Sequence, residues 1–393
     1  MNIPFDPLSH KESFAYFKNI KIKKDFFGEA PAPFIGRYGY PEVNVGILAP
    51  PEVKNTAEYD SPRTWAQQNL QIPEIISYRS ALINSRFKAH IKSSRNQFLD
   101  IAKEVGMASK PVEVEIHLQK IPSLRLFSDN YAAPTGPAGI LETAKITANP
   151  KISSKVDYVV SDTDLKAAEG LTTLYHKGFD ENFLSRLLSV GQLGVEERRK
   201  LVPTRFSITA TDSTLGNNLL KNVKDFSEDG SYQAYFDGYL GNYFLILTMT
   251  DAWQYELFET YVPKNPEKQL RYTTDYEPYQ GRKKYAEQTA GGFYATRLAL
   301  LEHLTKTKRQ ASVLVLRFIT DEYSSPLGVW VVREAVRKSM QSKSVAFASK
   351  ELLFQYVKQF VKTKFGWDPQ PLLDASLLLK NYKKQTKLNQ FFS

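Results

Sequence analysis

The run SYQAYFDGYLGNYFLILTMTDAWQYELFETYVP (231–263) constrains the fold more than any other stretch. Its aromatic and β-branched residues suit a pleated, half-buried surface, and Gly238–Gly241 and Asp251 supply turns. The pattern predicts an antiparallel meander. VEVEIHL (112–118) alternates apolar and polar residues and reads as a half-buried strand, and ASVLVLRFI (311–319) as another. Two or three further strands are expected within 140–162, and RFSITATD (205–212) reads as a strand ending in a helix cap. Helical periodicity starts at Ser61-Pro62, with serine as N-cap and proline at the first helical position, and runs with interruptions to about Met107. Three helical segments are expected between Asp164 and Lys200, one long helix from about Tyr285 to Lys306, and several more after residue 325.

Strands cluster in the middle and helices at both ends, which predicts an α+β fold with a central, mostly antiparallel or mixed sheet. Residues 1–60 are rich in Pro, Gly and Tyr. They read as an ordered aromatic segment packed on the body, with Phe34, Ile35, Tyr38, Tyr40, Val43, Val45 and Ile47 wanting burial. The globular body is expected over 61–375, followed by a short, flexible basic tail over 376–393.

At 393 residues and 42% hydrophobic, the chain is long and apolar enough for a sizeable core. No run approaches the ~18 consecutive apolar residues of a membrane span, and MNIPFDPLSHKESF lacks the basic-then-apolar order of a secretory signal. An intracellular protein is expected. There are no cysteines, which removes thiolate catalysis and every zinc site built on cysteine. The five histidines, at 10, 90, 117, 176 and 303, are too far apart in sequence to make an i, i+4 metal pair. Net charge is +10. From Trp330 onward there are 12 Lys/Arg against 4 Asp/Glu, a net of +8. A basic end of this kind suits a polyanion or a solvated helix face equally.

No Walker loop, G-x-G-x-x-G run, H-E-x-x-H or G-x-S-x-G elbow occurs. The anion-binding candidates are therefore positional. In GVEERRKLVPTRFSITATD (194–212), Arg198, Arg199, Lys200 and Arg205 surround a helix end, where they either grip phosphate or complement the helix dipole. Arg37, between glycines in GRYGYP, could reach a ligand through open backbone. In DYEPYQGRKKYAEQTAGG, Arg282, Lys283 and Lys284 interleave with tyrosines, which suits single-stranded nucleic acid. There Gly291-Gly292 marks close packing against a ligand or another helix. Candidate acids are Asp162, Asp164 and Asp212. Asp162 and Asp164 could hold Mg²⁺, although capping the following helix is the stronger reading. No cofactor is evident.

QTKLNQFF (385–392) places Gln385, Leu388, Phe391 and Phe392 at positions 1, 4, 7 and 8. In one helical or 3₁₀ turn, Leu388, Phe391 and Phe392 share a face as a compact apolar plug. That is the pattern of a sliding-clamp (PCNA) interaction box, whose glutamine fills a separate small pocket. The basic residues just before it could lean toward the DNA that a clamp encircles.

Taken together, FIGRYGYPEVNVG (34–46), YDSPRTW (59–65), LLSVGQLGVEERRKLVPTRFSITATDSTLG (187–216), GNYFLIL (241–247), DYEPYQGRKKYAEQTAGGFYATRLALLEHL (275–304), SPLGVWVVREAVR (325–337) and the terminal box make the chain resemble the archaeal Nre DNA-repair family over nearly its whole length. The resemblance implies a DNA-damage-response protein that binds the sliding clamp through its tail and so associates with the nucleoid. It departs from members that begin with a cysteine-based zinc-finger-like segment. For the body, two readings stay open. It is either a repair enzyme on a phosphate-containing substrate, with Asp162 or Asp212 as acid, base or metal ligand, or a non-catalytic adaptor for damaged or single-stranded DNA or another repair protein.

Overall fold

Val43, Val45 and Ile47 alternate along one strand, and Phe87 and Ala89 along its partner, so one face of each strand is apolar and must be covered. The computed structural model describes residues 22–93, 96–123, 130–262 and 271–384. Within these the chain forms two compact units. One is Asn2–Leu215 with Ser325–Trp330, and the other is Gly216–Ser324 with Val331–Ser393.

The first unit carries a six-stranded mixed sheet built from β1 (Asp25–Ala30), β2 (Ala32–Ile35), β3 (Glu42–Ala49), β4 (Ile83–His90), β5 (Val112–Leu118) and β6 (Ala138–Ile146). Their order is β1-β5-β6-β4-β3-β2, with only β4 and β6 parallel. Within the segment 1–60 read as packed on the body, residues 32–49 thus form a β2–β3 hairpin. Helices α1 (Pro62–Gln67), α2 (Ile72–Ala81), α3 (Gln97–Met107), α4 (Ser154–Ser161), α5 (Ala167–His176) and α6 (Glu181–Ser189) complete the unit. The N-terminus of α3 is fixed by Asn96, whose side-chain oxygen accepts from the Phe98 and Leu99 amides. Its Leu99, Ala102 and Val105, one helical face, join Val45, Ile47 and Ile116 in the core.

Two stretches expected to be strands are helical. Residues 205–212 lie inside α7 (Thr204–Val223). There Ser207, Thr211, Asp212, Leu215 and Leu219 are buried at helical spacing. Part of that inward stripe is small and polar, so it does not register as a hydrophobic period. Residues 154–161 form α4, which Ser153 caps by accepting from the Lys155 amide, and Val156 and Val159 face inward.

The second unit holds the aromatic run as β7 (Tyr232–Tyr239), β8 (Asn242–Met249) and β9 (Gln254–Tyr261). With β10 (Arg271–Glu277), β11 (Ser312–Ile319) and β12 (Val345–Phe347), the order is β10-β9-β11-β8-β7-β12. The expected meander is therefore interrupted. β7 and β8 form a hairpin, but β11 inserts between β8 and β9, parallel to β9. Every residue of β11 is buried, as a central strand covered on both faces requires. Helix α8 (Ala290–Thr307) covers one face, where the Tyr255 hydroxyl donates to the Phe293 carbonyl. α10 (Lys350–Phe365), α11 (Gln370–Ala375) and α12 (Leu377–Lys384) pack on the other through Leu353, Val357, Leu372 and Leu378. Helix α9 (Trp330–Gln341) joins α8 through Arg337, which pairs with Glu302 at 2.8 Å. The whole is α+β.

The Gly291-Gly292 pair marks close packing on a buried ion pair. A Cβ on Gly292 would lie 2.3 Å from a Glu259 carboxylate oxygen. Glu259 pairs at 2.5 Å with Arg317, its register partner on β11, and Arg317 also donates to the Asn242 side chain.

Glu256, buried on the opposite face, accepts from the Leu377 and Leu378 amides at 3.1 and 3.0 Å and from the Ser376 hydroxyl at 2.5 Å. It caps α12. Burial raises its pKa against the lowering effect of those donors. A carboxyl with a raised folded pKa favours the folded state most when protonated, and that contribution fades as pH rises through the folded value. Glu256→Gln therefore gains stability relative to the parent as pH rises from about 4.5 toward 7. Denaturant midpoints measured across that range check the sign, and a pH-independent difference refutes it.

Candidate nucleic-acid interface

Three backbone hydrogen bonds assemble one edge of the first unit. The β2–β3 turn, residues 36–41, closes with the Glu42 amide donating to the Gly39 carbonyl at 2.8 Å, and Gly39 adopts φ +86, which a glycine accepts without strain. At the base of the turn the Ile91 amide donates to the Pro41 carbonyl at 3.0 Å. Ile91 then accepts from the Leu201 amide at 2.8 Å. On the other side the Ile35 amide donates to the Thr204 hydroxyl at 2.9 Å, and Thr204 is the first residue of α7. Hairpin tip, the end of β4 and the start of α7 thus form one continuous edge. Two of the segments singled out in the sequence, GRYGYP (36–41) and 194–212, are joined there through Leu201 and Thr204.

The edge displays aromatic rings and cations. Tyr38 and Tyr40 are 72% and 56% exposed, and Phe206 is 53% exposed. The expectation that these tyrosines would be buried is overturned, because both sit at the tip of a two-stranded projection, beyond the reach of the sheet's core. Arg37 donates to the Tyr38 hydroxyl at 2.7 Å and lies 4.8 Å from its ring centre. Arg205 stacks at 3.8 Å over the ring of Tyr131. Lys92 and Lys200 are exposed on the same edge. Flat guanidinium and phenol surfaces held at fixed positions offer stacking faces for bases and charge for phosphates.

The remaining candidates are placed differently. The Arg199 guanidinium is directed into its own loop, donating to the carbonyls of Gly194, Val160 and Asp162 at 2.6, 2.9 and 2.8 Å. Arg198 is exposed in the turn Glu196–Arg198. Asp162 accepts from the Asp164 and Leu165 amides at 3.1 and 3.0 Å, a turn-forming role, and Asp164 is exposed. Asp212 is buried within α7. Among the described residues, no three His, Asp or Glu side chains cluster as a metal site would need, and no helix is long and apolar enough to cross a membrane.

In the second unit, Arg282 staples its own loop. It bonds the Tyr276 and Tyr285 carbonyls at 2.8 and 3.3 Å, pairs with Asp275 at 3.0 Å and lies over Phe293. Asp275 in turn accepts from the Gln288 and Thr289 amides at 2.9 and 2.7 Å. Lys283, Lys284 and Tyr285 stay exposed on this rigid loop, and Lys224 lies 4.5 Å over the exposed ring of Tyr279. Gln385, Leu388, Phe391 and Phe392 lie outside the described residues.

Sequence reasoning missed Tyr131 and Phe206. Nothing in the sequence near Tyr131 foretells that an arginine more than seventy positions away will stack on it. Phe206 lies in RFSITATD, which reads as a strand in the sequence but is helical, with Phe206 on the exposed side.

The family model for the N-terminal part of archaeal Nre matches residues 6–266, and that for the C-terminal part matches 277–391. The chain belongs to the archaeal Nre family. The two Nre models meet beyond residue 266, whereas the compact units divide at Leu215 and Gly216. The family's N-terminal part thus includes β7, β8 and β9 of the second sheet.

Curated Nre relatives align over most of their own lengths. DNA repair protein NreA of Haloferax volcanii is 35% identical over 349 residues, 86% of this chain and 83% of the relative. DNA repair protein NreB of Archaeoglobus fulgidus is 32% identical over 372 residues, 93% and 92% of the two chains. DNA repair protein NreA of the same organism is 35% identical over 344 residues, 86% of each. No solved structure matches the chain.

Proposed function

We propose that this Nre chain is an intracellular DNA-repair protein, recruited to DNA by the sliding clamp through QTKLNQFF and binding single-stranded or distorted DNA along the edge formed by 36–41, 91 and 200–206. The repair role is supported by the names of its relatives. The clamp is supported by the spacing of Gln385, Leu388, Phe391 and Phe392. The observation that carries the DNA reading is the convergence of exposed Tyr38, Tyr40 and Phe206 with Arg37 and Arg205 on one hydrogen-bonded edge. Exposed rings gathered on one edge, rather than scattered singly, are the kind of patch that marks an interaction site.

A binding role is better supported than a catalytic one. The acids that chemistry would need are engaged elsewhere, Asp162 in a turn and Asp212 inside a helix. Arg199, one of the candidate phosphate-gripping residues, donates to three backbone carbonyls of its own loop. What stays accessible is a stacking and phosphate-binding surface, which suits an adaptor for damaged DNA.

The test is fluorescence anisotropy with a labelled single-stranded oligonucleotide. Tyr38→Ala combined with Tyr40→Ala is expected to weaken binding by at least about tenfold, since each lost base stack is worth roughly 1–3 kcal/mol. Arg37→Ala is expected to lower the salt dependence by about 0.7 in log–log slope. Clamp binding stays at the parental level in both variants. Unchanged DNA affinity in the double tyrosine variant overturns the reading of this edge.

A further inference from the structure

Helix α12 ends where the clamp motif begins, and it is fastened along its length. Glu256 holds its N-terminus through Ser376, Leu377 and Leu378. Leu378 and Leu379 are buried. Near its other end, Asn381 donates to the Tyr276 hydroxyl at 3.1 Å, and the Tyr382 hydroxyl bonds that of Tyr232 at 3.0 Å under the Lys350 ammonium. The last of these anchors is three residues before Gln385. Three residues span at most about 10 Å even when fully extended, less than the ~13 Å radius of gyration of a 100-residue domain. A folded partner that grips Gln385 must therefore abut the surface around α12.

That surface is suited to a second contact. Leu377 on α12 and Leu352 in the first turn of α10 are exposed. Lys380 follows Leu377 by three helical positions, and the Lys350 ammonium lies over the Tyr382 ring. Resting on the clamp reading above, we infer that a clamp docked on QTKLNQFF is held against the α10–α12 face, so that clamp binding fixes the orientation of the second unit. Helix α12 then acts as a rigid mount. The cations on this face call for acidic side chains on the facing clamp surface.

The absence of cysteine makes the test direct, because Lys343→Cys, at an exposed position, gives a single labelling site. Single-molecule energy transfer from this site to a labelled clamp is expected to give one narrow distance. Inserting about twelve Gly/Ser residues after Lys384, roughly 20 Å of flexible reach, is expected to broaden it while the complex still forms. Leu352→Glu is expected to broaden it as well. Equal breadth in the parent and the insertion variant overturns the rigid mount, and a narrow distance in Leu352→Glu overturns the assigned face. If no complex forms even with the parent chain, the clamp reading itself falls.

Discussion

Arg317→Met lowers the stability of the second unit by about 3–5 kcal/mol, the range expected when one partner of a buried ion pair is removed. Arg317 lies on the central strand and is the cross-strand partner of Glu259. Burial raises the pKa of Glu259 even with the arginine present, whose charge and hydrogen bond pull it down. Without Arg317 the carboxylate keeps its burial and loses both compensating effects. Its folded pKa rises further, so the defect is largest at neutral pH and shrinks on acidification, as Glu259 takes up a proton. The double variant Arg317→Met, Glu259→Leu removes both charges and recovers most of the loss. Urea midpoints of the single and double variants at pH 5 and pH 7.5 measure all three effects. A single variant as stable as the parent at both pH values refutes the account.

On the proposed clamp reading, Phe391→Ala with Phe392→Ala is expected to abolish clamp binding at micromolar concentrations. A short motif of this class binds with about 8 kcal/mol, equivalent to micromolar affinity. Its aromatic anchors carry most of that energy, at about 2 kcal/mol or more each. Losing both leaves affinity down at least about a hundredfold, beyond ordinary titration. Calorimetry with the full chain and the clamp of the same organism reads the change. The DNA affinity proposed for the Tyr38 and Tyr40 edge is expected to be unchanged in this variant, which separates a lost anchor from a misfolded chain. Retained clamp affinity in the double variant means that QTKLNQFF is not the clamp box.

Much of the fold was legible where local chemistry and burial agree. VEVEIHL alternates because one face of β5 is covered, and Val114, Ile116 and Leu118 are buried there. Ser349 begins α10 by accepting from the Leu352 amide, and Gly366 ends it in a left-handed conformation at φ +75. The reading failed where burial is polar or where partners are distant. The inward stripe of α7 includes Ser207, Thr211 and Asp212, residues that a hydrophobic period does not count. The place of β11 in the sheet is set by pairing across more than fifty residues, and no local pattern encodes it. Among the cations, charge was visible in the sequence but engagement was not. Arg199 and Arg282 end as internal staples, and Arg37 and Arg205 meet aromatic rings on the surface.

The sequence by itself determined the α+β class, the exclusion of cysteine chemistry and the spacing of Gln385, Leu388, Phe391 and Phe392 on which the clamp proposal rests. Each follows from residue types at short spacing, where periodicity and side-chain chemistry act directly. Only the tertiary structure decided which charges face water, that the turn at 36–41 and the start of α7 form one edge, and that α12 is fastened to within three residues of the motif. Those outcomes depend on hydrogen bonds between segments up to about 170 positions apart, and on the buried carboxylate of Glu256 finding a helix N-terminus 120 residues away.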